Sequence, residues 1–219
     1  MTARPLPLGV GVLASGRGSN LQAILDEIAC GRLDAAVRVV VSDIPDAFAL
    51  ERARLAGVPA VFVDPRDAGG KETFERRVAD VLRGHGVELV VLAGYMRILS
   101  PAFIARFEGR LLNIHPSLLP MFPGLNTHER ALEEGVKIHG CTVHFVTAQL
   151  DHGPIVIQAA VPVRADDTPA TLSARVLAQE HRIYPQAIRW FAEGSLVNLH
   201  GRVNVQDDLT SQAVLAIEA

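Results

Sequence analysis

The alternation of apolar strand-like runs with helical stripes is the feature that most constrains the fold of this chain. Residues 8–14 form an almost wholly apolar run typical of a buried strand, and apolar residues then recur at helical spacing from Leu21 to Ile28. The same strand-then-helix succession returns, with further strands predicted at residues 36–41, 58–63, 87–93 and 111–115. Repeated strand–helix–strand units predict an α/β fold with a doubly wound, mostly parallel sheet.

The rhythm of the sequence changes after residue 115. Two β-rich runs, 139–146 and 154–163, flank a turn and predict a β-hairpin added to the sheet. Thr168-Pro169 has the signature of a helix start, and the long helix that follows is predicted to break near Pro185. A last small strand pair is predicted at 196–200 and 202–205. We expect one domain over residues 1–205 and a C-terminal tail, 206–219, whose lack of pattern is typical of poor order.

Composition excludes several classes of function. The chain has 219 residues, 49% of them hydrophobic and 21% charged, which is the balance of a globular protein. A net charge of −3 and only 5% aromatic residues disfavour a nucleic-acid surface or an anionic membrane as partner. The two cysteines, Cys30 and Cys141, cannot form a disulfide framework and lack metal-ligand spacing. We therefore expect a cytoplasmic protein in which both cysteines are reduced packing residues.

A glycine-rich loop, S-G-R-G-S-N at Ser15–Asn20, separates the first strand from the first helix. Glycines allow a close backbone approach, and a helix N-terminus offers free N–H groups to an anion. The loop is neither a Walker A motif nor a full G-x-G-x-x-G, because Leu21 stands where the third glycine belongs. We predict a phosphate group held by Gly18, Ser19 and Asn20. The alternative is a tight turn in which Asn20 only caps the helix.

A second motif, L-L-N-I-H-P-S-L-L-P-M-F-P-G, occupies residues 111–124. Asn113 and His115 lie two residues apart at the end of a predicted strand, and their side chains therefore share one face of it. A histidine can exchange a proton near neutral pH, and a fixed asparagine amide can donate to a developing oxyanion. The spacing predicts an acid–base site, followed by a loop that its prolines make rigid. The alternative is that both side chains only pin the proline-rich loop.

Two further segments follow predicted strands. Asp151, in L-D-H-G, is ordinary turn chemistry by itself, but a carboxylate is what an imidazolium at His115 would need. Gly94–Leu99, in G-Y-M-R-I-L, could bond a flat heterocycle through its backbone while Met96, Ile98 and Leu99 pack against it. It could equally be an ordinary strand end. Because open α/β sheets bind ligands at the carboxyl ends of their strands, we expect these segments to converge.

Other chemistries fit the sequence less well. Five histidines fall in one stretch but lack the spacing of metal ligands: His115, His128, His139, His144 and His152. A serine hydrolase built on Ser117 would need a G-x-S-x-G elbow, which is missing. A dinucleotide-binding module could use Asp43 as its ribose acid, but this interpretation leaves Asn113, His115 and Asp151 unexplained.

The motifs S-G-R-G-S-N, L-A-G-Y-M-R-I-L-S, L-L-N-I-H-P-S-L-L-P and L-D-H-G-P-I-V together resemble those of the phosphoribosylglycinamide formyltransferases, folate-dependent enzymes of purine biosynthesis. The resemblance extends from about Leu8 to His200. It implies formyl transfer from 10-formyltetrahydrofolate, a co-substrate, to the amine of glycinamide ribonucleotide. It also implies no metal, no partner beyond these small molecules, and a monomer or weak homodimer. Deformylation, with water as the acceptor, remains open because the same catalytic residues would serve it.

The resemblance assigns roles to named residues. The catalytic trio would be Asn113, His115 and Asp151, and the phosphate of the ribonucleotide would bind Gly18, Ser19 and Asn20. Glu180 would contact the ribose side of that substrate. The folate pocket would be formed by Met96, Arg97, Ile98 and Leu99, together with the loop from Val146 to Asp151.

Three residues depart from the family pattern. Asn126 stands where histidine is usual, and Ala148 stands where an acidic residue is usual. His152 replaces a small residue between the aspartate and the glycine of L-D-H-G. None of these changes removes a required role, but each alters the contacts expected beside the site.

Overall fold

The computed structural model describes residues 6–66, 69–199, 201–206 and 214–215. The chain divides into two compact units, with the boundary between Asn113 and Ile114. The strand that contains this boundary, Leu111–His115, contributes its first three residues to unit 1 and its last two to unit 2.

Unit 1 is an alternation of strands and helices, as predicted. Its five strands are all paired in parallel, in the order β5-β4-β1-β2-β3. The elements are β1 (Leu8–Leu13), α1 (Ser19–Ala29), β2 (Ala35–Ser42), α2 (Phe48–Leu55), β3 (Ala60–Phe62), α3 (Lys71–Gly84), β4 (Leu89–Leu92), α4 (Pro101–Arg106) and β5 (Leu111–His115). The predicted α/β fold with a mostly parallel sheet is confirmed.

The central strands of unit 1 owe their position to their sequence. Every residue of β1 and β4 is buried, as expected of apolar strands that are covered on both faces. Helix α3 contributes its apolar stripe to the core through Phe74, Val78 and Leu82. In the parallel register Leu13 lies beside Leu92, and Leu92 lies beside Asn113. The segments that follow β1 and β4 therefore leave the sheet at the same end of its strands, and Asn113 lies at that end too.

Unit 2 is built around the predicted hairpin and the long helix. Strands β6 and β7 pair in antiparallel fashion, β10 pairs in parallel with β7, and β8 pairs with β9 in a separate two-stranded sheet. Helix α6 packs on β6 and β7. The elements are α5 (Thr127–Glu133), β6 (Ile138–Phe145), β7 (Ile155–Pro162), α6 (Pro169–Ala192), β8 (Leu196–Leu199), β9 (Arg202–Val205) and β10 (Val214–Leu215).

The predicted break at Pro185 is wrong, because α6 continues through this proline to Ala192. A proline inside a helix loses one backbone hydrogen bond, at a cost of about 3 kcal/mol. Apolar side chains on both sides of it are buried, including Ile183, Tyr184 and Ile188. Packing of this apolar face outweighs the lost bond. Helix α5, by contrast, was not predicted, because its seven residues are too short to show a clear apolar stripe.

Some predictions fall at the edges of the described chain. Residue 200 of the predicted strand 196–200, and residues 207–213 and 216–219 of the predicted tail, lie outside the described residues. The tail nevertheless includes β10. The division into one domain over 1–205 and a tail stays a prediction. Of the cysteines, Cys141 is buried as expected, whereas Cys30 is exposed and is not a packing residue. Among the described helices, none is both long and apolar enough to cross a membrane.

Gly140, in the middle of β6, tests how closely the hairpin is packed. A Cβ atom at this position would lie 2.0 Å from the carbonyl oxygen of Ala159 on β7. We expect Gly140→Ala to lower the free energy of unfolding by about 2 kcal/mol or more, because the paired strands must separate. Gly84→Ala is the matched control, since a Cβ there meets nothing within 4 Å. Chemical denaturation of both variants measures the difference, and equal stabilities would contradict this account.

Candidate active site

His115 and Asp151 form a buried pair in unit 2. His115 is the last residue of β5, Asp151 lies in the turn between β6 and β7, and their Nδ1 and Oδ2 atoms are 3.4 Å apart. The other ring nitrogen of His115, Nε2, is 2.9 Å from the carbonyl oxygen of Phe122. Both ring nitrogens therefore face oxygen acceptors, an arrangement that an imidazolium ion satisfies with its two N–H donors. The pairing predicted from the sequence is present.

The backbone of the turn fixes the Asp151 carboxylate. Asp151 has a left-handed conformation, with φ of 50°, which aspartate tolerates better than most residues. The backbone N–H of Gly124 donates to Asp151 Oδ2 at 2.8 Å. Gly153 is required for packing, because a Cβ atom there would lie 1.7 Å from the carbonyl oxygen of Phe145. In L-D-H-G the glycine is therefore required by the packing of the hairpin, and the aspartate is the residue whose side chain faces His115.

His144, at the end of β6, is a neighbour of the pair that the sequence did not indicate. Its Nε2 is 3.8 Å from Asp151 Oδ1, and its Nδ1 is 2.9 Å from the carbonyl oxygen of Phe145. Burial lowers the pKa of His144 below its ordinary value, although the carboxylate acts in the opposite direction. Its neutral form is therefore favoured, and the charge of Asp151 is left to His115. From the sequence His144 was considered only as a metal ligand.

Ser117 is a structural residue of the proline-rich loop. Its hydroxyl donates to the carbonyl oxygens of Met121 and Phe122, at 2.6 and 3.1 Å, and the residue is fully buried. The hydroxyl of Thr142, on β6, donates to the carbonyl oxygen of Ser117 at 2.7 Å and anchors the loop to that strand. These bonds fix the Phe122 carbonyl that faces His115. They give Ser117 no role as a nucleophile.

Two histidines that burial makes less basic, His139 and His128, lie beside the proline-rich loop. The buried ring of His139 packs edge-on against Phe122 at 5.9 Å and against His128 at 5.3 Å. Burial is the largest cause that lowers the pKa of His139, from 6.5 to about 4. Burial also lowers the pKa of His128. In the part of the chain that the structure describes, no group of three acidic, histidine or cysteine side chains could hold a metal ion.

The glycine-rich loop in unit 1 leads directly into α1. Gly18 is the N-cap residue in a left-handed conformation with φ of 69°, no side chain caps the helix, and its first turn contains no acidic residue. Asn20 lies inside the helix, so the alternative that it serves as the cap is wrong. A Cβ atom on Gly18 would lie 2.8 Å from the Cα atom of Ala49. Gly18 is thus also needed for packing against α2.

The 94–99 segment presents both apolar side chains and a fixed backbone. Met96 and Ile98 are 66% and 62% exposed, whereas Leu99 is buried. Arg97 is held within unit 1, with its Nη1 atom 3.7 Å from Asp43 Oδ2 and its guanidinium 5.0 Å from the ring centroid of Phe74. The segment therefore offers apolar surface, while its charged side chain is already paired.

Asp43 is not available for a ribose. It is 7% exposed, and its Oδ1 accepts a hydrogen bond of 2.6 Å from the hydroxyl of Ser15. With Arg97 at its other oxygen, this carboxylate is engaged inside unit 1. The dinucleotide interpretation therefore gains no support from Asp43.

The structure groups the remaining predicted residues by unit. In unit 1 the glycine-rich loop, the 94–99 segment and the half-buried Asn113 lie at the same edge of the sheet. In unit 2 Glu180 is buried on α6 and Val146 is half-buried directly after β6. Of the departures from the family pattern, Asn126 adopts a left-handed conformation at the N-cap of α5, which asparagine tolerates well. Ala148 and His152 are exposed.

Comparison with known proteins gives consistent matches. A family model described as formyl transferase matches residues 9–188. The chain is 50% identical over 189 residues to phosphoribosylglycinamide formyltransferase of Escherichia coli (strain K12), covering 86% of this chain and 89% of the relative. It resembles the crystal structure of glycinamide ribonucleotide transformylase 1 from Symbiobacterium toebii, with a TM-score of 0.91, 54% identity, and coverage of 93% and 96%. A formyltetrahydrofolate deformylase from Pseudomonas syringae pv. tomato is also similar, with a TM-score of 0.86, 28% identity, and coverage of 93% and 67%.

The low pKa of His139 predicts a loss of stability in acid. The unfolded chain takes up a proton near pH 6.5, but the folded protein does so only near pH 4. Stability contributed by neutral His139 is therefore complete above pH 6.5 and is lost as the pH falls to about 4, by about 3 kcal/mol in all. We expect His139→Gln, which keeps a donor for the Pro116 carbonyl, to reduce this dependence.

Unfolding free energies measured from pH 7 to pH 4 check this expectation. His152→Gln serves as the control, because His152 is exposed and its replacement should leave the slope unchanged. An unchanged slope in His139→Gln would show that other groups cause the acid sensitivity.

Proposed function

Because this chain belongs to the formyl transferase family, we propose that it transfers the formyl group of 10-formyltetrahydrofolate to the amine of glycinamide ribonucleotide in purine biosynthesis. The observation that carries this proposal is the buried pair of His115 and Asp151, whose Nδ1 and Oδ2 atoms are 3.4 Å apart. His115 lies on the strand that also holds Asn113. We further propose that the enzyme acts in the cytoplasm, needs no metal, and is a monomer or weak homodimer.

The reaction needs groups that stabilise negative charge and manage a proton. The substrate amine attacks the formyl carbon, a new C–N bond forms, and the carbonyl oxygen becomes an oxyanion. The amide of Asn113 would donate a hydrogen bond to that oxygen. The positive charge of His115, whose two N–H groups face Asp151 and the Phe122 carbonyl, would stabilise it electrostatically. As the C–N bond to the folate breaks, the proton lost by the amine reaches the folate nitrogen, and the electron pair of the oxyanion restores the carbonyl.

Asp151 would serve this cycle by keeping His115 charged and oriented. A carboxylate near the imidazolium stabilises the positive charge that the oxyanion needs. The separation of 3.4 Å is longer than a strong hydrogen bond, so the two groups interact mainly through their charges. In the proposal a water molecule relays the proton between the amine and the folate nitrogen beside Asp151. His144 stays neutral in this mechanism and is only a polar neighbour of Asp151.

Each substrate is assigned to segments already described. The phosphate of the ribonucleotide would bind backbone N–H groups of Gly18, Ser19 and Asn20, at the positive end of α1. Glu180 would accept hydrogen bonds from the ribose hydroxyls. The folate would lie against the 94–99 segment, where Met96, Arg97, Ile98 and Leu99 are the predicted contacts, and against the loop from Val146 to Asp151. Exposed apolar side chains at Met96 and Ile98 support that part of the assignment.

Deformylation is the second candidate function, since the chain also resembles a solved deformylase. In that reaction water replaces the amine, and the same His115–Asp151 pair would act. One assay separates the two: consumption of formyl-folate measured with and without glycinamide ribonucleotide. Transfer requires that turnover depend on the ribonucleotide. Equal turnover without it would make the protein a hydrolase.

Replacing Asp151 by asparagine tests the catalytic pair. The amide keeps the size of the side chain but removes the charge that stabilises an imidazolium at His115. We expect Asp151→Asn to fold normally and to lose about a hundredfold or more in kcat. The exposed Asp166→Asn is the matched control and should retain full activity. Near-normal turnover by a folded Asp151→Asn protein would return this residue to an ordinary turn role.

The phosphate assignment is best tested at Ser19 rather than at Gly18, because Gly18 is also needed for packing against Ala49. A carboxylate at Ser19, the first residue of α1, would interact favourably with the helix dipole and would repel a phosphate. We expect Ser19→Asp to keep or raise Tm and to weaken ribonucleotide binding about tenfold or more, with folate binding unchanged. Ser19→Ala is the uncharged control. Unchanged ribonucleotide affinity in Ser19→Asp would argue against a phosphate at this loop.

A further inference from the structure

The glycine-rich loop and the 94–99 segment are joined by hydrogen bonds through a single residue, Ser15. The Ser15 N–H donates to the carbonyl oxygen of Gly94 at 3.0 Å. The Ser15 hydroxyl oxygen accepts a bond of 2.9 Å from the N–H of Met96. The first residue of one loop is therefore fixed against the backbone of the other.

Asp43 sets the direction of these bonds. Because an ionised carboxylate only accepts hydrogen bonds, the Ser15 hydroxyl must donate its proton to Asp43 Oδ1, at 2.6 Å. The lone pairs of the hydroxyl oxygen are then left for the N–H of Met96. The second carboxylate oxygen, Oδ2, lies 3.7 Å from Arg97 Nη1. One nearly buried carboxylate thus reaches both loops, one with each oxygen.

We propose that Asp43 is a positioning residue that holds the glycine-rich loop and the 94–99 segment in a single arrangement for the two substrates. It follows β2 directly, so its own position is fixed by a buried parallel strand. Asp43 contacts neither substrate in this account and acts through Ser15 and Arg97. The inference rests on the proposed function, which assigns the phosphate to one loop and the folate to the other.

The two oxygens of Asp43 have separable roles, and this makes the proposal testable. Asp43→Asn keeps an oxygen acceptor for the Ser15 hydroxyl but removes the negative charge opposite Arg97. We expect it to retain ribonucleotide affinity and to weaken folate affinity by up to about fivefold, the value of one part-exposed ion pair. Asp43→Ala removes both contacts and should weaken both substrates by about that factor. Asp46→Asn, an exposed neighbour, is the control and should match the wild type.

The experiment measures the dissociation constant of each substrate separately, the melting curve, and the pH profile of kcat at saturation. A positioning role predicts changed affinities with an unchanged pH profile, because the His115–Asp151 pair is untouched. Asp43→Asn weakening both substrates equally, or a folded Asp43→Ala binding both as the wild type does, would overturn it. If Asp43→Ala does not fold, Asp43→Asn alone decides. Failure of the wild type to bind glycinamide ribonucleotide would instead contradict the proposed function.

Discussion

The parallel pairing of β1 with β2 and β4 is the interaction on which the candidate site of unit 1 depends. It aligns Leu13 with Leu92, so that the glycine-rich loop and the 94–99 segment leave the sheet side by side. Gly11 makes this core compact, since a Cβ atom there would lie 2.6 Å from the side chain of Leu82 on α3. The pairing of β1 with β2 also sets Leu13 beside Val41, two residues before Asp43, and so brings the Asp43 carboxylate next to the glycine-rich loop. Packing in the sheet therefore sets the geometry of the polar network.

In unit 2 the decisive constraint is the distribution of charge among histidines. His128, His139 and His144 are all made less basic by burial, and His115 lies nearer to the Asp151 carboxylate than His144 does, at 3.4 Å against 3.8 Å. A cluster of several cationic rings would repel one another and would compete for Asp151. Keeping the surrounding rings neutral directs the negative charge of Asp151 to a single ring. In the proposed reaction, that selectivity would let His115 supply the positive charge that faces the oxyanion.

The sequence predicted most of the fold and the proximity of His115 to Asp151, and its failures have physical causes. The predicted bounds of β5 match the observed ones. Its apolar run ends at N-I-H, and the proline that follows marks the end of the strand. Pro185 was misjudged because packing on β6 and β7 overrides a local propensity. The pairing of Arg97 with Asp43 could not be foreseen, since it depends on which strands are neighbours in the sheet. The contact between Gly18 and Ala49 was hidden for the same reason.

Arg97 and Arg52, the arginines of the 94–99 segment and of α2 beside the glycine-rich loop, already have partners within unit 1. The chain carries a net charge of −3, and the guanidinium of Arg97 is opposed by Asp43. Arg52, beside the glycine-rich loop, donates to the carbonyl oxygen of Arg17 and lies 4.8 Å from the ring centroid of Phe48. In the proposed reaction the backbone N–H groups at the start of α1 recognise the anion, and they act over a short range and only in a fixed geometry. Such a site selects for the shape of its ligand, because an anion that does not fit the fixed N–H groups makes no hydrogen bonds with them.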